Sequence, residues 1–158
     1  MKKPIKRNEA LQPLSRDHHH TLLLCWKIRA GFEKGIPVER IKAYADWFYE
    51  NYIIKHFKME EEYLYPILGI ENKLIQQAIE EHKLLARLFT DNSKIEESLR
   101  QIPEELKKHI RFEERTLFNE IQISASPEQL EKVELIHDKE KFVDNLSDEF
   151  WLYKVTGN

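Results

Sequence analysis

The sequence is poor in the residues that interrupt helices and in the long apolar runs that mark membrane proteins. It has four glycines in 158 residues, and 34% of its residues are charged. That composition suits a helical protein better than a sheet protein. No apolar run approaches the roughly 20 residues that a transmembrane helix needs. Charge interrupts the stretch TLLLCW within a few residues, so a secretory signal peptide is not expected.

An excess of charge of one sign is also lacking, because 25 basic residues face 28 acidic ones. Such a balance creates no strong field, so neither nucleic acid nor a membrane surface is expected as a partner. Cys25 is the single cysteine, which excludes an internal disulfide and fits a reducing cytoplasm. Its Leu- and Trp-rich surroundings predict a buried, inert thiol. With 158 residues, the chain fits one domain with a sizeable core.

Apolar residues recur at helical spacing and predict a string of helices. Five are expected, at about residues 15–31, 37–65, 71–89, 103–122 and 127–150, with a short helical piece near 94–100. Ser15 and Asp17 supply capping chemistry for the first helix, Pro103 is expected to open the fourth, and Ser126 caps the last. The predicted fold class is therefore all-α, an up-down-up-down four-helix bundle with an additional C-terminal helix.

The predicted domain organisation has three parts. Residues 1–10 form a basic N-terminal tail, and residues 11–124 form the four-helix bundle. Residues 125–158 form a C-terminal helical extension that packs on the bundle.

One ten-residue formula occurs twice, as HFKMEEEYLY from His56 and as HIRFEERTLF from His109. Residues four apart share a helix face, so His56 projects with Glu60 and His109 with Glu113. The apolar stripe of each helix runs into its pair, which places both pairs on the buried side. Burying these groups without partners costs several kcal/mol each. Donor pairs on two facing helices are how bundles hold a dinuclear metal centre.

The other two helices are expected to contribute one histidine each. His82 is the only histidine of the third helix and lies on its apolar side. The first helix offers three, in RDHHHTLLL. His18 shares the direction of the apolar residues, His20 points to the opposite side, and His19 stays an alternative ligand. His137 lies beside charged residues in the last helix and is expected to be an ordinary surface histidine.

The predicted metal ligands are His18, His56, Glu60, His82, His109 and Glu113. Glu61 and Glu114 point about 100° further round their helices. We expect them in supporting or rim positions, with Glu114 kept as an alternative ligand. Nearby tyrosines could donate hydrogen bonds, although aromatic packing explains them equally well.

Mixed imidazole and carboxylate donors without a thiolate suit iron, manganese or zinc. We expect two iron ions with bridging carboxylates and an oxo or hydroxo bridge, because adjacent irons can bind and reduce dioxygen. Zinc or manganese remains an alternative, and so does a single ion.

The chain resembles the haemerythrin-like, or HHE cation-binding, family over about residues 11–122. The likeness is carried by LSRDH, by the two copies of the repeated formula and by the EEH of the third helix. It implies a four-helix bundle with a non-haem di-iron centre held by the same six residues. Such centres carry dioxygen, sense dioxygen or iron, respond to nitric oxide, or handle peroxide.

Two positions depart from the dioxygen carriers of that family. Ala78 stands where the carriers have a fifth histidine, and they place the last carboxylate at the position of Glu114. The chain is therefore expected to bind or sense dioxygen, nitric oxide or iron, with a small diatomic ligand or a metal ion as its partner. The alternatives are an oxidoreductase acting on peroxide, nitric oxide or damaged iron centres, and a bundle with a purely structural polar core. The sequence does not indicate a protein partner or a redox partner.

Overall fold

The computed structural model describes residues 6–137 and 141–154, and all regular structure within these ranges is helical. The α-helices are α1 (Gln12–Glu33), α2 (Val38–Phe48), α3 (Ile54–Met59), α4 (Lys73–Thr90), α5 (Ile95–Phe112), α6 (Phe118–Ser124) and α7 (Pro127–Ile136). Three π-helical turns occur at Tyr49–Ile53, Glu60–Leu64 and Glu113–Leu117, and 3₁₀ turns at Tyr65–Ile67 and Phe150–Leu152. Residues 38–64 and 95–124 consequently form two continuous helical rods. The predicted all-α class is confirmed.

The start of α1 differs from the prediction. The helix begins at Gln12 after an N-cap at Leu11, so Ser15 and Asp17 lie inside it and do not cap it. Pro13 fits this start, because a proline in the first turn forfeits a hydrogen bond that the helix could not make there. The Asp17 carboxylate is consequently available for contacts with other helices.

The prediction that Pro103 opens a new helix was wrong. A single helix, α5, passes through this residue from Ile95 to Phe112. An interior proline costs a helix about 3 kcal/mol. Leu99, Ile102 and Leu106, on both sides of it, are buried in the core, and this packing offsets the lost hydrogen bond.

The predicted C-terminal helix is shorter than expected. Ser126 and Gln129 form the capping box that starts α7, as the sequence indicated, but the helix ends at Ile136. Residues 141–149 are non-helical, and the 3₁₀ turn Phe150–Leu152 follows. This path lets Phe150 and Trp151 reach the core, a tertiary contact that helical periodicity does not reveal.

Helices α1 and α5 pack along each other in opposite directions. His18 near the start of α1 contacts Glu114 just after α5, whereas Phe32 near the end of α1 lies under Arg100 near the start of α5. Helix α4 also packs against α5, and α1 packs against α2. None of the helices within the described ranges is long and apolar enough to cross a membrane.

Two clusters of buried apolar side chains fill the interior, and the candidate ligands lie between them along the chain. One cluster includes Leu24, Ile53, Leu85 and Leu106. The other includes Leu14, Leu64, Ala78 and Leu117. On α1, for example, His18 lies between Leu14 and Leu24, and candidate ligands likewise separate a residue of one cluster from a residue of the other on α4 and on the two continuous rods. The ligand candidates therefore form a polar layer between two apolar ones. Cys25 is buried, as predicted.

Candidate metal centre

Both copies of the repeated formula adopt the same local structure. His56 lies on α3 and His109 on α5, and in each case the glutamate four residues later opens a π-helical turn. Single π-helical turns of this kind are frequent at functional sites. Both central glutamates, Glu60 and Glu113, are fully buried. The sequence repeat is therefore also a structural repeat.

The structure brings together all six residues predicted as ligands. They form two groups: His18, His56, Glu60 and Glu113, and Glu60, His82, His109 and Glu113. In each group the candidate ligand atoms lie within 4.8 Å of one another. We call the first group position A and the second position B. Glu60 and Glu113 belong to both, which is the arrangement that bridging carboxylates require. These buried groups could hold metal ions.

Each histidine directs its Nε2 atom at one of the two central carboxylates. The distances are 3.5 Å from His18 to Glu113, 3.3 Å from His56 to Glu60, 3.2 Å from His82 to Glu60 and 2.9 Å from His109 to Glu113. These are ion-pair distances when the imidazoles are protonated, yet several of the buried atoms make no hydrogen bond of good geometry within the described chain, namely Nε2 of His18, His56 and His109, both oxygens of Glu60 and Oε1 of Glu113. Leaving such atoms unpaired costs about 1–3 kcal/mol each. Cations between them would supply the missing partner.

A second ring of carboxylates faces the Nδ1 atoms. The distances are 2.7 Å from Glu114 to His18, 3.1 Å from Asp17 to His56, 3.1 Å from Glu61 to His82 and 2.6 Å from Glu81 to His109. A histidine whose Nδ1–H donates outward keeps its Nε2 lone pair for a metal, and such outer partners orient metal-binding histidines in many proteins. We call these four acids the outer carboxylates.

Glu61 and Glu114 were expected in supporting positions, and the structure places them there. Asp17 and Glu81 were missed, Asp17 because it was assigned to helix capping. One feature of the sequence could have revealed them, since each outer carboxylate is the immediate neighbour of a predicted ligand. Every one of them contacts the histidine of a different helical rod.

Tyr65 is the tyrosine that reaches the centre. Its buried hydroxyl donates to Oε2 of Glu113 at 3.1 Å and lies 3.1 Å from Nε2 of His82. Tyr52, by contrast, donates its hydroxyl to the carbonyl of Val143, away from the site. Tyr65 therefore places one hydroxyl group on the side of position B.

The charges of the central residues depend strongly on one another. Burial raises the pKa of Glu60, and the charge of Glu113 raises it further. Burial alone would also raise the pKa of Glu113, but its contacts with His109 and His18 lower it. Burial opposes a charge on His109, yet Glu113 and Glu81 raise its pKa to about 10. The raised pKa of Glu60 favours its protonated form and the lowered pKa of Glu113 favours its ionised form, so the two central carboxyl groups tend to carry one negative charge between them.

The outer carboxylates favour their ionised forms. Burial alone would raise the pKa values of Asp17, Glu81 and Glu114, but hydrogen bonds from histidines lower them. The hydrogen bond from His82 likewise lowers the pKa of Glu61. Glu113 and the four outer carboxylates thus give five ionised groups around four imidazoles, and this surplus of negative charge favours cations over anions as ligands.

The remaining histidines lie outside the two groups. His19, the alternative ligand on α1, is exposed, and the His20 ring stacks on Phe142 at a centroid distance of 4.3 Å. The prediction of a surface histidine at position 137 was wrong. The side chain of His137 is only 11% exposed, and its Nε2 lies 2.9 Å from Oδ2 of Asp17. The reason is that the end of α7 lies beside α1, which helical periodicity does not show.

No protein-family model, curated protein or solved structure matches this chain. The resemblance to haemerythrin-like proteins therefore stays a hypothesis based on the sequence motifs.

Proposed function

We propose that this protein holds two iron ions in a non-haem, carboxylate-bridged centre and there binds or senses dioxygen, nitric oxide or iron. The observation that carries this proposal is the pair of fully buried glutamates shared between two groups of histidines. Four imidazoles aimed at two shared carboxylates give two cations equivalent sets of nitrogen and oxygen donors. A purely structural polar core would be expected to join these atoms by good hydrogen bonds, and among the described residues many of them make none.

The fold we propose is the up-down-up-down four-helix bundle of haemerythrin-like proteins. Its four rods would be α1, residues 38–64, α4 and residues 95–124. The outer carboxylates support this arrangement, because each joins one rod to the next. Asp17 contacts His56, Glu61 contacts His82, Glu81 contacts His109, and Glu114 contacts His18. These contacts pass through all four rods and return to the first.

In this proposal His18 and His56 would hold one ion, His82 and His109 the other, and both central glutamates would bridge them. A bound iron pair supplies one-electron redox chemistry and coordination positions for a small ligand. The chain itself orients the imidazoles through the outer carboxylates and excludes bulk water by burial. Tyr65 can also offer a hydrogen bond to a ligand near position B. Four histidines, with Ala78 in place of a fifth, favour sensing or storage over reversible dioxygen carriage.

The test is metal analysis of the purified protein together with its absorption spectrum in air. We expect two irons per chain and near-ultraviolet oxo-bridge absorption after anaerobic iron loading and exposure to air. His56→Ala and His109→Ala should each lower the metal content, whereas His19→Ala, which changes an exposed neighbour of a ligand, should not.

Unchanged metal content in both ligand variants would refute the site. A flat spectrum with bound metal would favour zinc over iron. Peroxide turnover well above that of free iron would instead indicate an oxidoreductase.

A further inference from the structure

The two metal positions differ in what holds their outer carboxylates. Position A relies on Asp17 and Glu114, and position B on Glu61 and Glu81. The side chains that support the first pair come from two segments outside the four helical rods. One precedes α1 and the other begins at the end of α7, and we call these two segments the chain ends.

The N-terminal segment reaches position A through Arg7. Its Nη2 donates to Oε2 of Glu114 at 3.2 Å and to the carbonyl oxygen of the same residue at 2.6 Å. Its Nη1 donates to the side chains of Asn119 and Gln122 at 3.2 and 3.0 Å. This fork fixes the carboxylate whose other oxygen accepts from His18 at 2.7 Å. The side chain of Arg7 is only 16% exposed, so its charge is not freely solvated.

Arg7 and His18 also lie against the same aromatic ring. The guanidinium carbon of Arg7 is 5.3 Å from the centroid of the Phe118 ring. The imidazole of His18 stacks on that ring at a centroid distance of 5.5 Å. A displacement of the N-terminal segment would therefore loosen both the polar and the apolar support of His18.

The C-terminal segment reaches position A through His137. Its Nε2 lies 2.9 Å from Oδ2 of Asp17, the oxygen that also faces Nδ1 of His56 at 3.1 Å. The chain beyond it is tied to the first two rods. The Tyr52 hydroxyl donates to the carbonyl of Val143 at 3.0 Å, and Phe150 and Trp151 are buried in the core.

Position B has no comparable link within the described residues. Glu81 is held by Gln77 from its own helix, with 3.1 Å between the amide nitrogen and the carboxylate oxygen. Glu61 accepts from His82, and its side chain is 42% exposed. The supports of this position are thus local to the helical rods, whereas those of position A depend on segments distant in sequence.

We propose that metal binding at position A is coupled to docking of both chain ends through Arg7 and His137, while position B binds metal independently of them. The inference rests on the proposed function, because it requires two metal positions. Both are positioning residues that act through the outer carboxylates. Coupling between two binding events is reciprocal, so metal at position A must hold the chain ends as strongly as the ends favour the metal. A sensor could report its state in this way.

The experiment titrates the full chain anaerobically with iron(II) and compares Arg7→Ala, His137→Ala and Gln77→Ala. Removing an outer partner of a metal ligand typically weakens binding 10–100-fold, and these residues act one bond further out. We therefore expect Arg7→Ala and His137→Ala each to weaken one of the two ions about tenfold. Gln77→Ala is the matched control at position B, and it should leave the affinity of the ion at position A unchanged.

Double variants identify the affected ion. In a His56→Ala background, which removes a donor from position A alone, Arg7→Ala should no longer change the affinity of the remaining ion. In a His82→Ala background, which removes a donor from position B, the effect of Arg7→Ala should persist. Such cycles isolate an interaction between two sites.

Docking is followed separately by the rate of tryptic cleavage at the exposed residue Lys141. Saturating iron(II) should slow cleavage in the wild type by about the same tenfold factor, since the coupling is reciprocal. It should give little protection in His137→Ala. Arg7→Lys and His137→Gln, which preserve a donor, should recover part of the binding if the alanine variants fold poorly.

The coupling is refuted if the wild type binds two ions and both alanine variants bind them with unchanged affinity, or lose both equally. That result would leave the proposed function intact. A wild type that binds no ion would instead refute the proposed function itself. A wild type that binds a single ion would remove the distinction between the two positions.

Discussion

Removing the carboxylate of Glu81 should weaken metal binding even though this residue is not a predicted ligand. Its Oε1 accepts from Nδ1 of His109 across 2.6 Å, the shortest of the four contacts between histidines and outer carboxylates. The side chain of His109 is only 2% exposed, so water cannot easily replace a lost partner. Glu81→Ala removes both the acceptor and the charge, while Glu81→Gln can keep an acceptor oxygen.

The size of the effect follows from the buried hydrogen bond. Loss of an outer partner of a metal-binding histidine typically costs 10–100-fold in affinity, or about 1.4–2.7 kcal/mol. A hydrogen bond to a charged group contributes about 1.5–3 kcal/mol, which agrees with that range. We expect Glu81→Ala within these limits. Glu81→Gln should lose less than about tenfold, because it forfeits the charge and retains the bond.

The assay is competition between the protein and a chelator of known affinity for iron(II), without oxygen. The control is Glu80→Ala, which removes a neighbouring carboxylate that is 73% exposed and pairs with Lys83 on the surface. The expected order of affinity is wild type and Glu80→Ala first, then Glu81→Gln, then Glu81→Ala. If Glu81→Ala bound metal as well as Glu80→Ala, orientation of His109 by an outer carboxylate would be unnecessary and the reasoning would be wrong.

Three further changes test other parts of the structure. A methyl group at Gly31 would lie 2.8 Å from side-chain carbons of Ile41, so Gly31→Ala should lower the free energy of unfolding in urea by about 1–3 kcal/mol. Burial alone would raise the pKa of Asp144, but its contact with Lys27 lowers it. That contact therefore stabilises the fold at neutral pH, and its contribution is lost as pH falls below about 4. Asp144→Asn removes this contribution, so the stability lost in this pH range, followed by tryptophan fluorescence, should be smaller than in the wild type. Tyr65→Phe keeps the ring and removes the hydroxyl, so it should lower the free energy of unfolding by about 1 kcal/mol. It should also change the absorption spectrum of the iron-loaded protein. An unchanged spectrum would place the hydroxyl outside the ligand environment.

The residues of the candidate site were predictable because their placement depends on local periodicity. His56 and Glu60 share a face for the same reason that the apolar residues around them do, and the same holds for His109 and Glu113. Once the apolar stripe is known to be buried, these pairs must be buried with it. Their convergence on two shared positions supports the proposal that they coordinate metal.

The misjudged elements depend on contacts between residues far apart in the sequence. Nothing near Pro103 indicates that packing on both sides carries α5 through a proline. The path after α7 depends on contacts of His137 with Asp17 and of Phe150 with the core. Helical periodicity does not reveal those partners, so the predicted last helix was longer than the observed one.

The positions of the outer carboxylates agree with alternating helix directions. Asp17 and Glu81 each precede a ligand on the first and third rods, while Glu61 and Glu114 each follow one on the second and fourth. A step of one residue turns an α-helix by about 100°, in a sense that reverses when the helix is viewed from its other end.

In an up-down-up-down bundle, a step backward on an upward helix and a step forward on a downward helix therefore point the same way round when seen from one end. Each acid then faces the histidine of the next rod, and the ring closes from Glu114 to His18 as observed. If two neighbouring rods ran in the same direction, the ring would close only with a different sequence order. One of these acids would then have to follow its ligand where it now precedes it, or precede it where it now follows. The order of acids and ligands in DH, EE, EH and EE is thus tied to the topology as well as to the chemistry of the site.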